Sequence, residues 1–246
     1  MFSEASTEKV LFGPEGIAST NATLNSNKRK IVLDHGTFSR SFILNNHHRA
    51  KASDIVYLDA PVSGGPQGAS LGTLTIMIGG DDDVVSNVTP ILQLYSKKIV
   101  HFGPIGNGMG AKLINQALVS IHAQAASEAI VLAETMGLGL QTPKLLDMLK
   151  DSWGQSRILE LAFQDYINAQ KNGWETLDSS PAPLRNLVKD MACVQKEFVG
   201  DADKKLCPTI NTATDVIHKA CSTGLENSAF VSLVDLMMSR DSRNKF

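Results

Sequence analysis

The feature that most constrains this chain is a stretch without glycine or proline between Gly110 and Gly137. Leu113, Ala117, Ile121, Ala125 and Ala129 recur there at four-residue spacing, with Leu118 and Val119 beside them. The spacing predicts one helix of about 26 residues, about 40 Å long at the usual rise per residue. It is apolar on more than one side, which suits a central helix packed all round. Helical patterns continue near 143–151, 156–170, 183–199, 209–223 and 228–239, and residues 173–183 form the main irregular stretch between them.

The first 105 residues have a different texture. Strand-like runs stand at Lys30–Asp34, Asp54–Asp59, Thr73–Ile78 and Lys98–Phe102, ended by glycine or Asp-Gly chemistry. Helical stretches at 39–53 and 81–96 alternate with them, and the run Asp81-Asp82-Asp83 sits where the second helix has its positive end. The layout is a small α/β part followed by a larger all-α part.

Composition narrows the function. With 23 Lys+Arg against 25 Asp+Glu in 246 residues, the net charge of −2 argues against a chain that works by gripping nucleic acid or anionic membrane. No run approaches the ~18 consecutive apolar residues of a spanning helix, and the N-terminus lacks the pattern of a secretory signal. Cys193, Cys207 and Cys221 are too few and too far apart for a disulfide framework or a zinc site, and the six histidines are scattered, so no metal is assigned. The expectation is a soluble intracellular protein, cytoplasmic by default, with a mitochondrial or other organellar address left open.

Three segments carry chemistry. In Asp59-Ala60-Pro61-Val62-Ser63-Gly64-Gly65 a strand runs into a turn whose missing side chains open backbone N–H groups, a concavity that suits an anion such as a carboxylate. The alternative is a tight loop between strands; a nucleophile elbow is discounted because Pro61 occupies its first glycine. Lys112 follows Gly106-Asn107-Gly108-Met109-Gly110 near the start of the long helix, where the dipole disfavours the charged form and favours proton exchange near neutral pH. A snorkelling surface lysine is its alternative. Asn115 and Gln116 share its face and can hydrogen-bond a ligand. The glycines fit G-x-G-x-x-A, but no returning strand follows the helix, so they read as a flexible junction allowing close approach to something in the cleft rather than a dinucleotide fingerprint. Lys189-Asp190 lies on a helical pattern and by spacing alone is an ordinary exposed pair.

Together these segments resemble the β-hydroxyacid dehydrogenases, the family of 3-hydroxyisobutyrate dehydrogenase, L-threonate dehydrogenase and tartronate semialdehyde reductase. Asp59–Gly65 with Gly68 and Gly72-Thr73-Leu74 resembles the family's substrate-binding loop, Gly106–Gln116 its catalytic-lysine segment, with Glu128-Ala129 continuing that helix, and Lys189-Asp190 its late Lys-Asp motif. Val10–Gly13 and Asp34-His35-Gly36-Thr37 are similar to the second half of its Rossmann domain. The resemblance implies an incomplete Rossmann-like sheet followed by an all-α domain with one long central helix. Residues 1–105 would be the C-terminal portion of an NAD(P)-binding domain, and 106–246 the substrate and dimerisation domain.

The resemblance also implies roles. Ser63, Gly64 and Gly65 would hold the carboxylate of a small 3-hydroxy acid, Lys112 would shuttle the hydroxyl proton, and Asn115 and Gln116 would orient the substrate. Thr37 and Lys189 would touch the cofactor, NAD ahead of NADP, and the protein would be a homodimer through its helical half. Two departures stand out. Gln116 occupies a position where the family usually carries Asn, and the family's opening βαβ unit with G-x-G-x-x-G has no match in this sequence. The expectation is therefore an N-terminally shortened member without competent cofactor binding as it stands. Either the full protein is the enzyme, or this is a non-catalytic product keeping the helical dimer and an acid-binding pocket.

Overall fold

The computed structural model describes residues 3–19, 29–197 and 207–242. It divides into two compact units, residues 1–114 and 115–246.

In the first unit, α1 (Glu4–Phe12) opens with a Ser3/Ser6 capping box. Its Glu8 pairs with Arg49, whose guanidinium lies 4.0 Å above the Phe12 ring. Strand β1 (Lys30–Asp34) runs parallel to β2 (Ile55–Asp59), Asp34 opposite Asp59 at their carboxyl ends. Between them lies α2 (Arg40–Ala52), capped by Ser39. The parallel pair needs that crossover helix. Next come β3 (Val62–Ser63), α3 (Gly65–Ser70), β4 (Leu74–Ile78), α4 (Asp82–Leu92) and β5 (Ser96–His101). β3 pairs antiparallel and β5 parallel with β4, and a bridge between Asp59 and Gly79 ties the end of β2 to the end of β4. Leu58, Ile76, Ile78, Val85, Val88 and Leu92 form the core between sheet and α4.

Helix α5 (Asn107–Thr135) has 29 residues and ends in a Schellman turn: Gly137 takes φ 75° and the Leu138 N–H reaches the Ala133 carbonyl at 2.7 Å. In the second unit it is followed by α6 (Thr142–Lys150), α7 (Arg157–Asn172), α8 (Leu184–Lys196) and α9 (Pro208–Ala220). Ile130, Leu146, Phe163, Tyr166, Val231 and Val234 form its main core. The first turn of α8 is capped from a distant loop, Leu184 N–H donating to Ser228 O at 3.1 Å and Arg185 N–H to Glu226 O at 2.9 Å.

Several elements differ from the sequence expectation. The helix expected over 81–96 stops at Leu92, because the Leu94 and Tyr95 N–H groups close a turn and the Tyr95 carbonyl accepts from Leu74 in the sheet. β5 accordingly starts at Ser96. The stretch expected to be helical over 228–239 is a 3₁₀ run, Phe230–Leu236, held by Ala229 N–H to Leu177 O at 2.9 Å. The irregular 173–183 stretch contains a 3₁₀ turn, Trp174–Leu177. Residues 198 and 199, expected at the end of a helix, lie outside the described residues. No helix among the described residues is long and apolar enough to cross a membrane.

Candidate active site

β2 delivers Asp59 to the interior, where it is fully buried. Its Oδ1 accepts from the Gly106 N–H at 2.8 Å and its Oδ2 from the Met109 N–H at 2.6 Å. The carboxylate thus caps the start of α5, satisfying donors that a helix N-terminus leaves open. Burial raises its pKa; the two backbone donors, and its own, oppose that, and burial is the larger effect. Four residues on, the chain turns through Ser63, Gly64 and Gly65, with φ of 134° and 62° at the glycines, backbone that L side chains rarely adopt. The turn does not end as an open loop: α3 begins at Gly65, and Gly68 N–H bonds Gly64 O at 2.9 Å. Gly65 and Gln67 N–H groups have no intrahelical acceptor, and a Cβ on Gly65 would meet nothing within 4 Å. Ser63 is half-buried.

Of the glycines before Lys112, Gly108 packs against the sheet, while Gly106 and Gly110 lie against Leu44 and Arg40 of α2. A Cβ on Gly108 would come within 2.5 Å of the Met77 carbonyl, so at that glycine close approach serves helix-on-strand packing, a correction to the reading in which it faces a cleft. Arg40 braces the junction, donating to Gly106 O at 3.2 Å and Asn107 Oδ1 at 3.1 Å. Lys112 is only 8% exposed, which removes the snorkelling alternative.

Thr37 lies half-buried in the turn after β1. That turn is fixed by Asp34, which accepts from Gly36 N–H at 2.9 Å and from the Tyr57 hydroxyl at 2.5 Å. Burial and the Asp34 carboxylate push the Tyr57 pKa far up. His35 ties the same turn to the segment after β2. Its Nδ1 stands 2.6 Å from the Ala60 carbonyl and so carries the proton, leaving Nε2 to accept from the Tyr95 hydroxyl at 3.0 Å.

In the second unit the structure brings Asn115, Gln116 and Lys189 together around Asp190, which is 5% exposed. Gln116 Nε2 donates to Asp190 Oδ2 at 2.5 Å, Asn115 Nδ2 donates to Gln116 Oε1 at 3.0 Å, and Lys189 Nζ lies 3.0 Å from Asp190 Oδ1. That last contact is an ion pair without hydrogen-bond alignment. The pair 189–190 is therefore not an ordinary exposed one. Sequence reasoning missed the parts played by Asp59, His35, Arg40 and Asp190. Asp59 and Asp190 stood inside quoted motifs, but nothing local marked their distant partners.

Comparison with known proteins places these residues in context. Residues 2–103 match the NAD binding domain of 6-phosphogluconate dehydrogenase, and residues 106–237 the NAD-binding domain of NADP-dependent 3-hydroxyisobutyrate dehydrogenase. The chain is 37% identical over 233 residues to 2-hydroxy-3-oxopropionate reductase of Escherichia coli, covering 94% of this chain and 74% of that protein. It is 38% identical over 135 residues to an uncharacterized oxidoreductase of Synechocystis, 55% of this chain and 45% of that one. The chain spans about half the length of several of the curated relatives it matches. Among solved structures, 3-hydroxyisobutyrate dehydrogenase of Mycobacterium tuberculosis with L-serine superposes with a TM-score of 0.70 at 25% identity, covering 85% of this chain and 70% of that one.

Proposed function

Because the chain belongs to the 3-hydroxyisobutyrate dehydrogenase family, we propose that it is an NAD(P)-dependent oxidoreductase acting on the hydroxyl of a small 3-hydroxy acid. The observation that carries this reading is the lock between Asp59 and α5. One carboxylate joins the strand that feeds the Ser63–Gly65 turn to the helix start that bears buried Lys112. Ser63 and the backbone donors of Gly64 and Gly65 hold the substrate carboxylate. Lys112 takes the proton of the 3-hydroxyl on oxidation and returns it on reduction. The nicotinamide, when bound, supplies the hydride acceptor or donor.

The residues present fit the nicotinamide end of that cofactor. β1 and β2 are parallel and open their carboxyl ends toward Thr37 and Ser63, the side of such a sheet on which nucleotides bind. Thr37 and Lys189 would touch the cofactor. We assign no residue to the pyrophosphate, since no G-x-G-x-x-G turn precedes β1 in this sequence. The protein acts as a homodimer through its helical unit, where Leu118 and Leu132 on α5 and Met136 just after it leave an apolar stripe at least half exposed.

A second reading is a non-catalytic form retaining the acid pocket and the dimer. It is favoured by β1 pairing with β2 alone among the described residues, which leaves its other edge without a strand. Turnover of 3-hydroxyisobutyrate, tartronate semialdehyde or L-threonate with NAD(P)(H), abolished by Lys112→Ala, tests the enzyme reading. A folded chain inert toward all of them would leave the second.

A further inference from the structure

The hydrogen bonds around Asp190 fix the orientation of two side-chain amides in series. A carboxylate beside the Lys189 ammonium only accepts, so Gln116 must turn its NH₂ toward it. Its Oε1 then faces Asn115, which must turn its own NH₂ inward to donate. Asn115 Oδ1 is thereby directed away from the network. Gln116 cannot serve the substrate with the groups it gives to Asp190 and Asn115.

We propose that Asp190 is a positioning residue acting through Gln116, so that Asn115 is the amide that meets the substrate and offers its carbonyl oxygen to a substrate hydroxyl other than the one whose proton Lys112 takes. This rests on the reading of the chain as a hydroxy-acid dehydrogenase. It moves Gln116 from substrate ligand to support. A site that presents a fixed acceptor prefers an acid carrying that further hydroxyl over the analogue lacking it, because the acceptor is otherwise left unpaired.

The test uses the full chain and two isosteric changes, Asp190→Asn and Gln116→Glu. Side-chain amide NMR, with the Asn115 signals assigned by Asn115→Asp, reads orientation directly. Calorimetric binding of 2,3-dihydroxypropionate against 3-hydroxypropionate reads the preference for the second hydroxyl. Each single change is expected to shift the Asn115 amide signals and to reduce the preference for the dihydroxy acid about tenfold. The double variant Gln116→Glu/Asp190→Asn exchanges donor and acceptor across the same contact and is expected to restore both. Restoration is an outcome that loss of packing does not produce. Asn115 signals indifferent to both single changes, or a double variant no better than the worse single, would overturn the proposal. If the signals behave as expected but the wild type binds neither acid, the relay stands and the hydroxy-acid reading fails.

Discussion

Asp59 places an ionisable group where two opposing effects meet: burial disfavours its charge, while the N–H groups of Gly106 and Met109 need an acceptor. Asp59→Asn keeps the shape but turns an NH₂ toward one of those donors. We expect it to lower stability by about 1–3 kcal/mol, the usual cost of an unsatisfied buried polar group. The pH dependence has a definite sign. A folded-state pKa raised above the unfolded value means a contribution fully present below the unfolded pKa and lost as pH rises through the folded one. In urea melts from about pH 4 upward, the wild-type advantage over Asp59→Asn should therefore shrink with rising pH; a gap that widened would contradict the assignment. Lys112→Ala is expected to leave the melting curve near wild type while cutting turnover by about 10²–10⁴-fold, the usual contribution of general acid–base catalysis. Lys112 and Ser63–Gly65 were legible as motif residues because their spacing is local. The partners of Asp59 and Asp190 were not, since Gly106 lies 47 residues from Asp59 and Gln116 lies 74 from Asp190.

At the scale of elements, α5 was legible from its uninterrupted periodicity, and β1, β2 and β4 from β-branched runs closed by turn residues. The end of α4 and the 3₁₀ character of Phe230–Leu236 were not, because each is decided by a hydrogen bond to another element, Tyr95 O to β4 and Leu177 O to Ala229. Burial separates two sides of α5. Ala123, Ala126 and Ile130 are buried, and Phe163 joins Ala126 and Ile130 in the core fully buried on α7. Phe163→Ala should cost about 3–5 kcal/mol in chemical denaturation. Leu118, Leu132 and Met136, each at least half exposed, lie outside that core. If the stripe is covered by a second copy, Leu132→Glu will dissociate the dimer with little change in monomer stability. Light scattering at micromolar concentration distinguishes this, and a monomeric wild type would remove the homodimer from the proposal.

For the whole molecule the deciding quantity is the affinity for nicotinamide cofactor. β1 and β2 open their carboxyl ends on the side where a doubly wound sheet takes its nucleotide, and Thr37 stands in the turn there. Against this, β1 carries a strand on one edge only among the described residues, and much of the binding energy of such cofactors comes from pyrophosphate on a helix N-terminus that this sequence does not mark with its glycine fingerprint. Titration of the chain with NADH and NADPH, followed by nicotinamide fluorescence, weighs one against the other. The expected outcome is saturable binding in the micromolar range. It should raise stability by about 2.7 kcal/mol at a hundredfold excess over Kd. On the proposed reading, in which Lys189 touches the cofactor, Lys189→Ala should weaken binding about tenfold and flatten its dependence on salt, because it removes a screened attraction. Binding that is saturable but insensitive to Lys189 would keep the oxidoreductase and move the cofactor contact elsewhere. No binding by a folded chain would leave the acid pocket and the dimer as what this sequence encodes, and the preference for a hydroxyl at Asn115 would then describe recognition without turnover.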